Sequence, residues 1–266
     1  MVWAPAGAEG VGGESQPRSL NTRALVTDRP DFTESALVVA PGTLQLEMGF
    51  ARIRHSGEDG RWVIRTAPLP LLRLGVSRRF ELRLGGLGYV SEFEQVSGAR
   101  RSGVTDLQVG MKIQMLNESG RKPDAALIPS LTVPTGNGDI SPGGYNPGLV
   151  LALAKALPHQ FSIGGNLGLS AATDGTGEFL RRSASVSLGR DLPVGGLAGF
   201  VETYTAGPEV RGGQSFWVVT GGVTRLFGRN TQVDFYVERS WRGPFPFWGF
   251  GIGFAFRTPV ASFQRD

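Results

Sequence analysis

Residues Trp248 to Phe256 read Trp-Gly-Phe-Gly-Ile-Gly-Phe-Ala-Phe, with a large apolar group at every even position and Gly or Ala at every odd one. A period of two requires an extended strand, because successive side chains of a pleated backbone point to opposite faces. In a water-soluble sandwich, the face turned away from the core carries polar groups. Here that second face carries almost no side chain. Such a strand suits a wall with bulky apolar groups against lipid and a crowded or ligand-filled interior, as in a transmembrane β-barrel. A buried strand of a soluble β protein shows the same alternation, so the rest of the chain has to decide.

The alternation recurs along the chain. Leu44, Leu46, Met48 and Phe50 share one parity, and Gln45, Glu47, Gly49 and Ala51 share the other; Ile53 breaks the phase, as a bulge or the end of a membrane zone would. Residues 61–77 place Leu72, Leu74 and Val76 opposite Arg65, Arg73 and Gly75. After the short turn at Ser77-Arg78-Arg79, Phe80, Leu82, Leu84 and Val90 oppose Glu81, Arg83, Gly85 and Tyr89. So short a connection makes an antiparallel hairpin. Similar runs follow near 107–115, 127–133, 148–157, 161–169, 183–188, 197–206 and 233–238; for 214–226 the two parities are equally apolar and leave the facing open. The expectation is an all-β, transmembrane, antiparallel up-and-down β-barrel of about twelve strands, with short turns alternating with longer loops. Several runs exceed the ~5–6 residues usual in a sandwich strand.

Composition agrees. The 266 residues include 40 Gly and 17 Pro, and mean hydropathy is close to zero at −0.07, as alternation produces. The longest apolar run, Gly148 to Leu157, is interrupted by Lys155 and falls short of the ~20 residues a spanning helix needs. The absence of Cys removes disulfides and thiolate metal sites. His55 and His159 lie in separate loops without a carboxylate at ligand spacing, so no metal, cofactor or catalytic residue is expected. The basic residues behind the net charge of +4 do not interleave with aromatics, which argues against nucleic acid. Thr135 to Gly144 is Gly-rich but lacks the Gly-Lys-Ser/Thr ending of a phosphate loop, and reads as an exposed loop.

The charged residues carry the functional reading. Glu47, Arg65, Arg73, Glu81, Arg83, Asp106, Lys112, Glu202, Asp234 and Glu238 fall opposite the apolar stripes. A basic group facing lipid at midplane costs ~2–4 kcal/mol, so these residues are expected to line the lumen and a solute path. Expected ion pairs are Arg73 or Arg83 with Glu81, and Asp106 with Lys112. The same ladders would equally serve to seal and rigidify the interior, and their mixed signs fix no ion preference.

Residues 1–26 lack periodicity and are expected to be disordered, with Met1 to Ala8 resembling the end of a signal peptide whose start lies upstream. Residues 27–42 are polar; Asp28, Arg29, Asp31, Phe32 and Glu34 are expected to tuck into the periplasmic end as a partial plug, so that deleting 27–34 raises conductance. The barrel then occupies 43–257, with a tail at 258–266.

Thr27-Asp-Arg-Pro-Asp-Phe-Thr-Glu34, Pro41-Gly42-Thr-Leu-Gln-Leu-Glu47 and Gly49-Phe50 resemble the opening of the family grouped as "putative meta-pathway of phenol degradation". Arg79 to Arg83, Pro129 to Gly136 and Gln232 to Phe235 resemble its later blocks. The resemblance covers most of 27–257 and implies a Gram-negative outer-membrane barrel, in contact with outer-membrane lipid, that takes up small hydrophobic or aromatic solutes. It brings no catalytic residues. The chain departs from it in the ten residues after Phe256, among which Phe263 offers an alternative end. A non-transport barrel sealed by its charge ladders is the competing reading, and a soluble sandwich the third.

Overall fold

A computed structural model describes residues 24–57, 60–137, 140–141, 143–174 and 176–260. Its strands are β1 (Thr43–Gly57), β2 (Gly60–Ala67), β3 (Leu71–Ser77), β4 (Phe80–Gly86), β5 (Tyr89–Glu94), β6 (Arg100–Val104), β7 (Leu107–Leu116), β8 (Asp124–Val133), β9 (Asn146–Ala156), β10 (Phe161–Asp174), β11 (Gly177–Asp191), β12 (Leu197–Ala206), β13 (Phe216–Phe227), β14 (Thr231–Arg242) and β15 (Phe247–Pro259). Pairing runs antiparallel from β15 down to β7, then through β4 and β3 to β1. β1 closes the ring on β15, from Thr43↔Pro259 to His55↔Phe247. Closure removes the free edges that an open sheet would expose.

The fifteen strands form twelve staves, because three staves are broken in the middle. β2 and β3 both pair with β1, the first with its upper half and the second with its lower. β5 continues β4 by pairing with β2, and β6 continues β7 by pairing with β5. The breaks sit side by side at 68–70, 87–88 and 105–106. Pro68 and Pro70 supply no ladder donor, and Gly86 and Leu87 turn through positive φ, 80° and 55°.

These breaks reset the side-chain phase. Below them the inward residues are Arg73 on β3 and Glu81 and Arg83 on β4, all odd. Above them Thr66 pairs with inward Ala51, so the inward positions of β2 and β5 are even. Arg65 therefore points outward, opposite Arg52, and is exposed; the expectation that it lines the lumen is corrected by the proline break between it and Arg73. For the same reason Val90 turns inward and Tyr89 outward. Ile53 marks no bulge: β1 pairs regularly through it, and it continues the inward register of Glu47, Gly49 and Ala51. β13 resolves with Phe216, Val218, Thr220 and Thr224 inward.

The outer face is apolar, with Phe50, Leu82, Leu84, Leu167, Val201, Phe235, Ile252 and Phe254 all exposed. β15 extends to Pro259, past the expected end of the barrel, while residues 261–266, including Phe263, lie outside the described residues. No helix among the described residues is long and apolar enough to cross a membrane.

Candidate functional site: the plugged lower lumen

The chain before β1 runs inside the barrel. Leu25 is fully buried and donates its N–H to the Arg229 carbonyl at 2.9 Å, so the packed segment begins ahead of Thr27. Residues 1–23 lie outside the described residues.

Asp28 is the hub of the segment. Its carboxylate accepts from Lys112 Nζ at 2.8 and 2.9 Å, from the Ser35 N–H at 2.8 Å and from the Ser35 hydroxyl at 2.7 Å. It also pairs with Arg83, and with Arg73 at 3.2 Å. Burial pushes the Asp28 carboxyl up, but Arg73, Lys112 and Arg83 outweigh that and hold it well below the usual carboxylate range. Its own N–H donates to Glu47 at 3.0 Å.

Around this hub the wall residues satisfy one another. Arg73 donates to Glu81 at 2.8 and 2.9 Å and to Glu47 at 3.0 Å, and also reaches the Leu37 carbonyl in the plug. Glu81 accepts from the Val39 N–H at 2.7 Å. Arg83 pairs with Glu81 at 3.2 Å and with Glu34 at 2.8 Å. Glu47, Arg73, Glu81 and Lys112 are fully buried, an environment that charges survive only when paired and hydrogen-bonded.

The opposite wall holds the plug by other means. Glu202 accepts from the Phe32 N–H at 2.8 Å, the Thr33 N–H at 2.7 Å and the Thr33 hydroxyl at 2.5 Å. Phe32 stacks on Tyr204, centroids 4.3 Å apart, and Tyr204 donates to Glu238 at 3.1 Å. Arg29 reaches Asp234 at 3.3 Å, and Gln232 donates to the Thr27 hydroxyl at 2.9 Å. Asn166 clasps the Glu34 backbone: its carbonyl accepts the N–H at 2.7 Å and its amide donates to the carbonyl at 3.2 Å. Between these, Ala36 packs on Ala126, Ile128, Ala152 and Ala154 of β8 and β9.

The bare parity of the last strand now has a physical account. A Cβ on Gly253 would overlap the guanidinium of Arg29 and the carboxylate of Asp234; on Gly251, the ring of Tyr236; on Gly249, the carboxylate of Glu238. On β1 and β3, a Cβ on Gly49 would overlap Arg29, and one on Gly75 the Ala40 carbonyl. The glycines make room for the plug and for the polar side chains of β14.

Nine of the ten wall residues singled out from sequence turn inward or are buried, and Arg65 does not. Lys112 pairs with Asp28 instead of Asp106, whose carboxylate accepts the Gly136 N–H at 2.9 Å. Asp31 is buried in the plug, and Glu34 lies at its rim. Gln45, Asn166, Ser185 and Gln232 also hold the plug; they lie on the polar parity, but a search for charges alone passes over them. Among the described residues no cluster of His, Asp and Glu could hold a metal.

The family described as "Putative MetA-pathway of phenol degradation" matches residues 27–258. The chain belongs to that family. No curated protein matches it. Among solved structures, it is similar to an outer membrane channel from Pseudomonas putida F1, with TM-score 0.66, 14% identity, and coverage of 84% of this chain and 98% of that one. The translocator domain of the autotransporter NalP from Neisseria meningitidis gives 0.53, 11%, 82% and 89%. At these identities the likeness is one of fold: a closed outer-membrane-type barrel.

Proposed function

We propose that this family member is an outer-membrane channel for passive uptake of small apolar or aromatic solutes, with residues 24–42 as its plug and Glu47, Arg73, Glu81, Arg83, Asp106, Lys112, Glu202, Asp234 and Glu238 flanking the solute path. The observation that carries the reading is the set of aromatic rings, Phe32, Tyr204 and Tyr236, turned into the lumen of a closed barrel. The lower half is filled by the plug and its ion pairs. Above it, the inward positions combine half-buried Ile53, Ile64, Tyr204 and Tyr236 and buried Phe216, Val218 and Val90 with the charged Glu238 and the Glu92–Arg101 pair. Phe32, 40% exposed, forms part of the floor. Aromatic rings above a polar stopper favour a solute that leaves water readily and stacks on them.

The ring of plug contacts on both walls also suits the sealed, non-transport reading. Single-channel conductance of the refolded protein in a planar bilayer, without and with phenol or benzoate, separates the two. Discrete steps blocked by the aromatic support uptake of aromatics. Steps indifferent to it retain a channel without that selectivity. A folded, heat-modifiable barrel that never conducts supports the sealed form.

A further inference from the structure

On the outer face, at the top of the apolar band, four arginines gather. Arg52 on β1 lies directly opposite Arg65 on β2. Arg54, two residues further up β1, lies opposite Trp248 on β15, which lies opposite Arg239 on β14. The Arg239 guanidinium sits 4.6 Å from the Trp248 ring centroid. Like charges directly opposite each other on neighbouring strands destabilise a sheet unless something of opposite sign lies between them. No carboxylate among the described residues pairs with any of the four, whereas the lumen cations Arg73, Arg83 and Lys112 are all paired. The buried Nε of Arg52 has no hydrogen-bond partner.

Their height is informative. With a rise of ~3.4 Å per residue and a tilt of ~40°, Arg52 and Arg54 stand about 21 and 26 Å above Leu44, where an apolar band about 25 Å tall ends. Trp217, Trp241 and Trp248 are exposed on the same side of the barrel, as in an interfacial aromatic girdle. The plug, the chain's first described residues and the end of β15 all lie at the opposite rim. With that rim periplasmic, the arginines face the headgroups of the outer leaflet.

We propose that Arg52, Arg54, Arg65 and Arg239 form a docking site for the phosphate groups of the outer leaflet's phosphorylated glucosamine lipid. Guanidinium forks match phosphate oxygens in geometry and charge, and the apolar face below, at Phe50, Phe250 and Ile252, accepts acyl chains. The site rests on the outer-membrane reading and goes beyond it, since it concerns the lipid side of the wall and not the lumen.

The test is native mass spectrometry of the refolded barrel in detergent with diphosphorylated lipid A, its dephosphorylated form, or phosphatidylglycerol. The expected result is retention of diphosphorylated lipid A at least tenfold above the other two. In R52Q/R54Q/R65Q that preference falls about tenfold, while R52K/R54K/R65K retains most of it and R190Q/R225Q, at the other rim, leaves it unchanged. Equal retention of all three lipids, or an undiminished preference in the triple Gln variant, overturns the site. Heat-modifiable migration is recorded for every protein. A barrel that folds but shows no preference refutes the docking site alone, whereas a chain that never becomes heat-modifiable refutes the outer-membrane reading and the site with it.

Discussion

Replacing Asp28 with Ala should open the channel. Around the hub, the wall contributes three cations, Arg73, Arg83 and Lys112, and two carboxylates, Glu47 and Glu81, so it carries one uncompensated positive charge. The plug brings two carboxylates, Glu34 to Arg83 at the rim and Asp28 into the hub, and of the two it is Asp28 that reaches Lys112. Without it, Arg73 keeps Glu47 and Glu81, and Arg83 keeps Glu81 and Glu34. Lys112 keeps only the two oxygens of Ser35, at 2.8 and 3.2 Å. A buried cation stripped of its partner costs about 3–5 kcal/mol. The penalty falls on the docked state alone, since an undocked plug leaves Lys112 hydrated. At 1.36 kcal/mol per power of ten, the docked-to-undocked ratio should fall by about two to nearly four powers of ten. Single-channel recording reads this as a rise in open time, and proteinase K digestion of the 24–42 segment in liposomes reads it independently. Asp28→Asn, which keeps the shape, should behave like Asp28→Ala. Adding Lys112→Met to Asp28→Ala removes the stranded charge and should restore most of the closure. If the double variant stays as open as Asp28→Ala, or if Asp28→Ala is indistinguishable from the parent, the charge-balance argument is refuted.

Two further outcomes follow from the same contacts. Gly75→Val should undock the plug more strongly than Gly253→Val, because the first side chain meets the Ala40 backbone carbonyl while the second meets side chains that can swing aside; equal conductance in the two variants would contradict this. Because the docked Asp28 carboxyl is held well below its ordinary value of 3.8, its contribution to docking is complete above about pH 4 and is lost as pH falls through the lowered value. Read as the difference between the parent and Asp28→Asn, the Asp28 share of the closure should therefore stay constant from neutral pH down to about pH 4 and shrink only in stronger acid; a share that already shrinks near neutrality would refute the assignment.

Much of this was legible in the residues. The period-two alternation defines a barrel because it recurs along the chain, and counting its runs leads to twelve staves. The polar parity reads Glu81, Lys112, Glu202 and Asp234 as turned from lipid, since an unpaired charge is too costly there, and all four are buried. Parity propagates only through an unbroken strand, however. The break at Pro68-Leu69-Pro70 resets the count, and Arg65 exits on the far side although it shares odd numbering with Arg73. Partner choice is harder still. Lys112 and its partner Asp28 are 84 residues apart and meet only because the chain before β1 re-enters the closed ring. The plug's neutral anchors, Asn166 and Gln232, escape because an amide signals no desolvation cost by its type alone.

The bare face of the last strand ties these levels together. A strand of alternating bulky and absent side chains is a poor candidate for a free-standing sheet, since glycine in a strand costs entropy and packs nothing. Its retention requires atoms from elsewhere in the chain to occupy the space. Those atoms are the guanidinium of Arg29 over Gly49 and Gly253, Tyr236 over Gly251 and Glu238 over Gly249. The closing seam between β1 and β15 is thus also the slot that receives Arg29 of the plug. Large residues on the outer parity and glycines on the inner one answer two different neighbours, lipid and plug, along the same thirteen residues of β15. Widening the slot is not possible without moving the seam, and filling it displaces the plug. The glycines of this strand accordingly constrain where the segment before β1 can sit as much as they constrain the fold.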